Sequence, residues 1–270
     1  MNEEIIKVAP EVVKTTLPQL ANSVYQDLLS PAMKKAGQAL GNVIDFATLS
    51  FIPLEFVSTR VRMNIDKNLK NYQKKLDAVP ENQVRSVEPE IGVPIVEKLS
   101  YTTCEEIAEM YTTLLAKAST TATVNQAHPS FIQFLERMSV DEARILRYLN
   151  GKSDFVCVRP RYYTDNDEGF ITLDNDITEL DDKIDLLFAQ NINSYIDNLC
   201  SIGILIRRTG QHKINDALYA PLIKKGETKI AAYELLGLTF HKVDYDKSYY
   251  EITSLGKTFI NACLNPMGAK

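Results

Sequence analysis

Between Thr102 and Leu149 the start and stop signals of three successive helices follow one another, and this stretch constrains the chain more than any other. Thr102 and Glu105 stand at capping-box spacing, where each side chain can satisfy a free N–H at a helix start. Behind them Ile107, Met110, Tyr111, Leu114, Leu115 and Ala118 recur on one helical face, and the polar run STTATVNQ ends the helix. His128-Pro129 opens the next, because a proline suits the first helical position, where its missing N–H costs nothing. Phe131, Ile132, Leu135 and Met138 form the face behind it. Ser139 and Glu142 make a second capping box ahead of Ala143, Ile145, Leu146 and Leu149, and Gly151 stands where a left-handed residue closes a helix. The pattern describes a scaffold, not an active site.

On the N-terminal side, residues 2–30 read as helix broken by Pro10 and Pro18, each of which removes a backbone donor. Residues 36–54 carry one charge, Asp45, yet Gln38, Asn42 and Pro53 also interrupt them. An Asp near a bilayer centre costs about 2.5–3.5 kcal/mol, so burial against other helices is the better reading than a membrane span. From Leu54 to Val79 the residues Val57, Val61, Ile65, Leu69, Tyr72 and Leu76 make one apolar stripe on a long helix. Its other face carries Arg60, Arg62, Lys67, Lys70, Lys74 and Lys75, the candidate surface for a protein partner or a membrane. Pro80, Pro89 and Pro94 mark a connector, with a short helix starting near Pro94.

After Gly151 the period changes. Residues 155–158 and 162–163 read as strand, with 170–173 returning across the acidic turn 165–169. Residues 176–188 and 192–203 read as helices, 204–206 as strand, and 215–236 as helix broken at Gly226. Residues 238–243 and 249–253 read as two strands joined by a turn at 244–248, before a last helix through Phe259, Ile260 and Cys263. This order is that of a winged helix. The expected fold is mainly α: a helical N-terminal region with amphipathic helices (1–80), a central helical bundle (81–138) and a winged-helix-like α+β domain (139–270). A helix that reads DNA presents basic or amide side chains to the groove. Residues 190–203 hold no Lys or Arg, so packing or protein contact is favoured over nucleic-acid binding, which stands as the alternative.

Charge supports that preference. Residues 1–80 carry ten Lys/Arg against eight Asp/Glu, and residues 81–270 carry twenty against twenty-seven. An acidic C-terminal part is a poor match for a phosphate backbone. The acidic start MNEEIIKVAP lacks the pattern of a signal peptide, and four dispersed cysteines with no C-x-x-C pair suit free thiols in a reducing compartment. A cytoplasmic location, at most peripheral to the inner face of the membrane, is expected.

Several apparent motifs fail on spacing. Gly151-Lys152-Ser153 and Gly256-Lys257-Thr258 end like a P-loop, but Leu146 and Glu251 occupy the position of the first glycine. Residues 165–176 resemble a calcium loop with the glycine one position early and Asp176 where a bidentate Glu is needed. His128, His212 and His241 are too dispersed for a zinc or nucleophilic site. No catalytic residue, cofactor or metal is expected. Nine acids between Asp165 and Asp185 face only Lys183 and read as a solvated run able to attract a basic segment.

Taken in order, Ile91-Gly92-Val93-Pro94-Ile95, Glu105-Glu106-Ile107, Leu114-Leu115-Ala116, His128-Pro129-Ser130-Phe131 and Leu255-Gly256-Lys257-Thr258-Phe259 with Ala262-Cys263 resemble the Abi-alpha (abortive infection alpha) family of bacteria. The resemblance runs from about Val79 to Cys263. It implies a role in defence against phage, in which an infected cell stops growing before the phage completes its cycle, and it implies no enzyme active site. The expected protein is therefore a non-enzymatic anti-phage protein acting through protein contacts or at a membrane surface. Its partner would be a host or phage protein, with self-association left open. The His128-Pro129-Ser130-Phe131 run is expected to be structural.

Overall fold

The computed structural model describes residues 30–50, 59–163 and 169–267, with the side chains of 44–50, 59–62 and 231 left aside. Residues 2–29 of the expected broken helix, and residues 165–168 of the expected turn (165–169) and calcium-like loop (165–176), lie outside the described residues. Of the segment 36–54, the side chain of Asp45 and everything beyond residue 50 also lie outside. The chain divides into two units, one made of the residues up to 140 together with those from 260 on, the other of 141–259. The first unit takes in both the described part of 1–80 and all of 81–138.

The first unit is helical. A turn at Pro31–Met33 leads into α1 (Lys34–Ser50), followed by α2 (Thr59–Asp77), α3 (Pro89–Tyr101), α4 (Glu105–Ala118) and α5 (Ser130–Glu136). The apolar stripe of α2 is buried at Ile65, Leu69, Tyr72 and Leu76, and α4 is buried along nearly its whole length. A helix buried all round must satisfy its own polar side chains. Thr112 and Thr113 donate to the Glu109 carbonyl at 3.0 and 2.8 Å, and Ser119 Oγ donates to the Leu115 carbonyl at 2.6 Å while bonding Tyr72 OH. Lys35 Nζ donates to the Leu76 and Asp77 carbonyls, both at 3.0 Å, placing a cation on the negative end of α2.

Local signals were partly overruled. Thr102 does not start α4: its hydroxyl donates back to the Lys98 carbonyl at 2.7 Å and closes α3, and Cys104 takes the N-cap position without a side-chain cap. The proline at the first helical position of α3 is Pro89, and Pro94 lies inside the helix. The proline-rich connector is stitched down, with Arg85 N–H donating to Ser119 O (2.8 Å), Val87 N–H to Ala39 O (2.9 Å) and Thr121 N–H to Gln83 O (3.0 Å).

The second unit joins α6 (Val140–Leu149), β1 (Asp154–Tyr163), β2 (Phe170–Ile171), α7 (Leu180–Lys183), α8 (Ile192–Ser201), β3 (Leu205–Arg207), α9 (Ala220–Leu235), β4 (Lys242–Ile252) and the start of α10 (Ser254–Leu264). The strands form one antiparallel sheet in the order β2-β1-β4-β3. Three expectations are corrected here. Residues 176–188 are mostly not helical: Ile177 instead bridges to Val158, exchanging both backbone hydrogen bonds, and only the short α7 forms. Helix α9 continues through Gly226. The expected turn at 244–248 is the middle of the continuous strand β4. Its alternating charges are cross-strand partners, with Asp244 opposite Arg161, Asp246 opposite Arg159, and Arg161 paired with Asp246 at 3.1 Å.

Two glycines of the family-like motifs, Gly92 and Gly256, are explained by close approach. A Cβ on Gly92 would collide with Val43 of α1, and one on Gly256 would collide with the backbone carbonyl of Ile204. A side chain can yield where a carbonyl cannot. Gly92→Ala is therefore expected to destabilise the protein by about 1–3 kcal/mol through overpacking. The double variant with Val43→Ala should recover a substantial part of that loss in denaturant unfolding; strictly additive losses would show that the two residues are not in contact.

Candidate functional site

Of the basic row on α2, Lys67 pairs with Glu105 and Lys75 with Glu109, both on α4, so these two lysines hold helices together. Lys70 and Lys74 are exposed and border an open groove of about 440 Å³ floored by Met33 and Leu69, with Asp66 and Asp77 on the same walls. Arg60 and Arg62 lie on the α2 backbone, their side chains outside the described residues. The row is thus not a continuous positive face. His128-Pro129-Ser130-Phe131 starts α5: the Ser130 N–H donates to His128 Nδ1 at 3.1 Å, the Ser130 hydroxyl lies 2.7 Å from the same atom, and the His128 ring packs on Phe131 at 5.7 Å. The imidazole does the work of a helix cap.

The most concentrated electrostatics surround Asp176, which sequence reading placed in a solvated acidic run. Its side chain is 1% exposed. Oδ1 accepts from Arg159 Nε (2.7 Å) and Arg207 Nη2 (3.2 Å), and Oδ2 accepts from Arg207 Nε (2.6 Å) and Tyr250 OH (2.7 Å), with Cys157 Sγ at 3.8 Å. Burial alone would raise the carboxyl pKa, but the hydrogen bonds from Arg207 and Tyr250 and the two guanidinium charges outweigh it and hold it below the usual range. Burial and the Asp176 charge push the Cys157 thiol up to about 12. A carboxylate kept ionised with both oxygens occupied is a poor general base, and a thiol kept protonated is a poor nucleophile. The cluster ties β1, β3 and β4 to the segment before α7. Its neighbours in the acidic run are also engaged, Asp174 by Lys229 (3.0 Å) and Asp181 and Asp182 by Lys225 (2.6 and 2.8 Å). Among the described residues, no group of three or more His, Cys, Asp or Glu could hold a metal, and no helix is long and apolar enough to cross a membrane.

A different feature is exposed and apolar. Leu187 and Phe188, just ahead of α8, are 58% and 55% exposed. Their backbone is fixed from beneath by the buried Asp141 of α6, whose carboxylate accepts from the N–H groups of Leu187 (2.8 Å) and Phe188 (2.9 Å) and from Tyr195 OH (2.9 Å). Arg144 Nη1 adds a bond to the Asp185 carbonyl at 2.7 Å, and Glu142 accepts from Asn198 Nδ2 of α8 at 2.6 Å. Two apolar side chains therefore stand outward on a rigid turn. Leu187 and Phe188 carry no separate signal in the sequence, where they end the helix expected over 176–188. Asp141, inside a capping box, gave no signal that it would reach forty-six residues along the chain.

These carboxylates carry pH dependence. Asp176 and Asp141 both have lowered folded-state pKa values. Such groups stabilise the fold above the unfolded carboxylate pKa, about 3.9, and that stability is lost as pH falls through the lower folded values. Stability should therefore hold flat above about pH 5 and fall below about pH 4. Asp176→Asn should cost about 3 kcal/mol at pH 7, the low end for a broken buried pair because Arg159 is more than a third exposed, and should flatten the acid limb in urea unfolding. An unchanged acid limb would remove Asp176 from this role.

Among solved structures, the chain is similar to an uncharacterized protein from the hydrocarbon-degrading marine bacterium Alcanivorax borkumensis SK2, with 17% identity, a TM-score of 0.33, and coverage of 53% of this chain and 94% of that one. Among curated proteins nothing matches. The family model described as abortive infection alpha matches residues 62–263, from the first turn of α2 to the last turns of α10, and on that match the chain belongs to the abortive infection alpha family.

Proposed function

We propose that this protein serves abortive infection without an active site of its own, by binding another protein, of the host or of the phage, through the face formed by Leu187, Phe188 and α8. The observation that carries the reading is the exposed Leu187–Phe188 pair clamped by Asp141. Family membership supports the defence role.

In this reading the second unit is a winged-helix derivative. Supporting it are the order of α6, β1, α7, α8, β3, β4 and α10, and the pairing of β4 with both β1 and β3. Helix α8 stands where a recognition helix would, and α9 is inserted where the wing would be. Nucleic-acid reading by α8 is disfavoured because it carries no Lys or Arg and exposes Ser194 and Asp197. The two arginines that follow are already engaged, Arg207 with Asp176 and Arg208 with Glu251 at 2.7 Å. The protein acts in the cytoplasm in this reading, with Lys70 and Lys74 the exposed described lysines of the α2 row that are left for a membrane surface.

Phage plaquing on cells with and without the gene tests the proposal. Replacing both Leu187 and Phe188 by Ser should abolish protection while leaving the unfolding midpoint nearly unchanged, since both side chains are mostly exposed. Full protection by that variant would exclude this face. A gel shift on random DNA at low salt tests the nucleic-acid alternative, where even non-specific binding should appear if it exists.

A further inference from the structure

Helix α9 is held very unequally along its length. Its first turns join a small apolar cluster in which Val158, Ile177, Tyr219 and Leu222 are buried and Val156, Ile223 and Tyr245 pack alongside. Lys225 adds ion pairs to Asp181 and Asp182. Beyond Gly226 no described side chain from 227 to 238 is buried, and Leu235 and Leu236 are 89% and 77% exposed. Such a segment belongs to the low-stability end of a fold. Among the described residues it is tethered at its inner edge, where Lys229 and the Tyr233 hydroxyl reach Asp174 and the Tyr233 ring stands edge-on to Tyr162 at 5.8 Å and to Phe240 at 6.4 Å.

At the junction between the two halves lies an unmet requirement. The Tyr245 hydroxyl of β4 is buried and has no hydrogen-bond partner among the described residues, and its ring fills the space left by the missing side chain of Gly226. A buried polar group without a partner costs free energy that solvation would return. Gly226 is also the one residue of α9 whose backbone has intrinsic freedom. The strain and the hinge therefore coincide.

We propose that residues 227–238 form a strap that lifts from the sheet as a unit about Gly226, while residues 219–225 stay docked. Opening hydrates the Tyr245 hydroxyl, removes Tyr233 from the edge of the Tyr162 ring while Phe240 stays on it, and frees Leu235, Leu236 and Leu238 as one mobile apolar segment. The second unit thus has two conformations that differ in the apolar surface they offer. This holds whether or not the α8 face is the partner site.

Hydrogen exchange of the full-length protein, followed by mass spectrometry, tests it. Peptides covering 227–238 should exchange at least about tenfold faster than those covering 219–225 and β1, and faster still in 0.5 M salt, which screens the Lys229–Asp174 pair. Tyr245→Phe removes the unpaired hydroxyl from the closed state and should slow exchange of 227–238 by about tenfold, the scale of one unsatisfied buried group. Exchange of 227–238 at the rate of β1 would overturn the proposal. So would Tyr245→Phe leaving that rate unchanged, or slowing every segment equally, which would mark a global effect on stability.

Discussion

The second unit depends on one buried carboxylate. Asp176 draws together Arg159 on β1, Arg207 on β3 and Tyr250 on β4, and the bridge beside it, Ile177 to Val158, lays the chain along the free edge of β1. An ionised group at that depth would be prohibitive alone, and it is tolerable because both oxygens are filled by donors, two of them positively charged. Once it is in place, Arg207 is committed to the fold together with Nε of Arg159.

A second carboxylate acts at a turn. Asp141 holds two successive N–H groups and a tyrosine hydroxyl, and so fixes the conformation that turns Leu187 and Phe188 outward. Holding apolar side chains in water is unfavourable, and a rigid backbone is what prevents the turn from folding them inward. Helix α9 shows the contrasting case, in which exposed leucines sit on a segment with few tethers. Contact surfaces of both kinds can serve a protein whose family points to defence.

Several polar side chains of α4 are satisfied close at hand. Thr112, Thr113 and Ser119 bond carbonyls within a turn of their own helix, and Ser119 also bonds Tyr72 of α2. Lys117 reaches farther. Almost fully buried, it donates to the Asn261 carbonyl at 2.6 Å and to Gln126 Oε1 at 2.9 Å, which fastens the last turns of α10 to α4. Burial lowers its pKa.

The sequence by itself determined the elements whose signal is local. The 3.6-residue stripe of α2, the His128-Pro129 start of α5 and the apolar face of α6 could be read because each depends on neighbours within a few turns. The family could be read too, since its motif residues keep their order along the chain. Tertiary structure decided whatever depended on a distant partner. Thr102 had two helix ends to choose between, and the Lys98 carbonyl won. The charges at 244–248 read as a turn until Arg159 and Arg161 supplied the opposite strand. Asp176 read as solvated because its four donors lie between seventeen and seventy-four residues away. A carboxylate in a linear sequence looks the same whether water or an arginine will face it, and only the folded chain brings the arginine there.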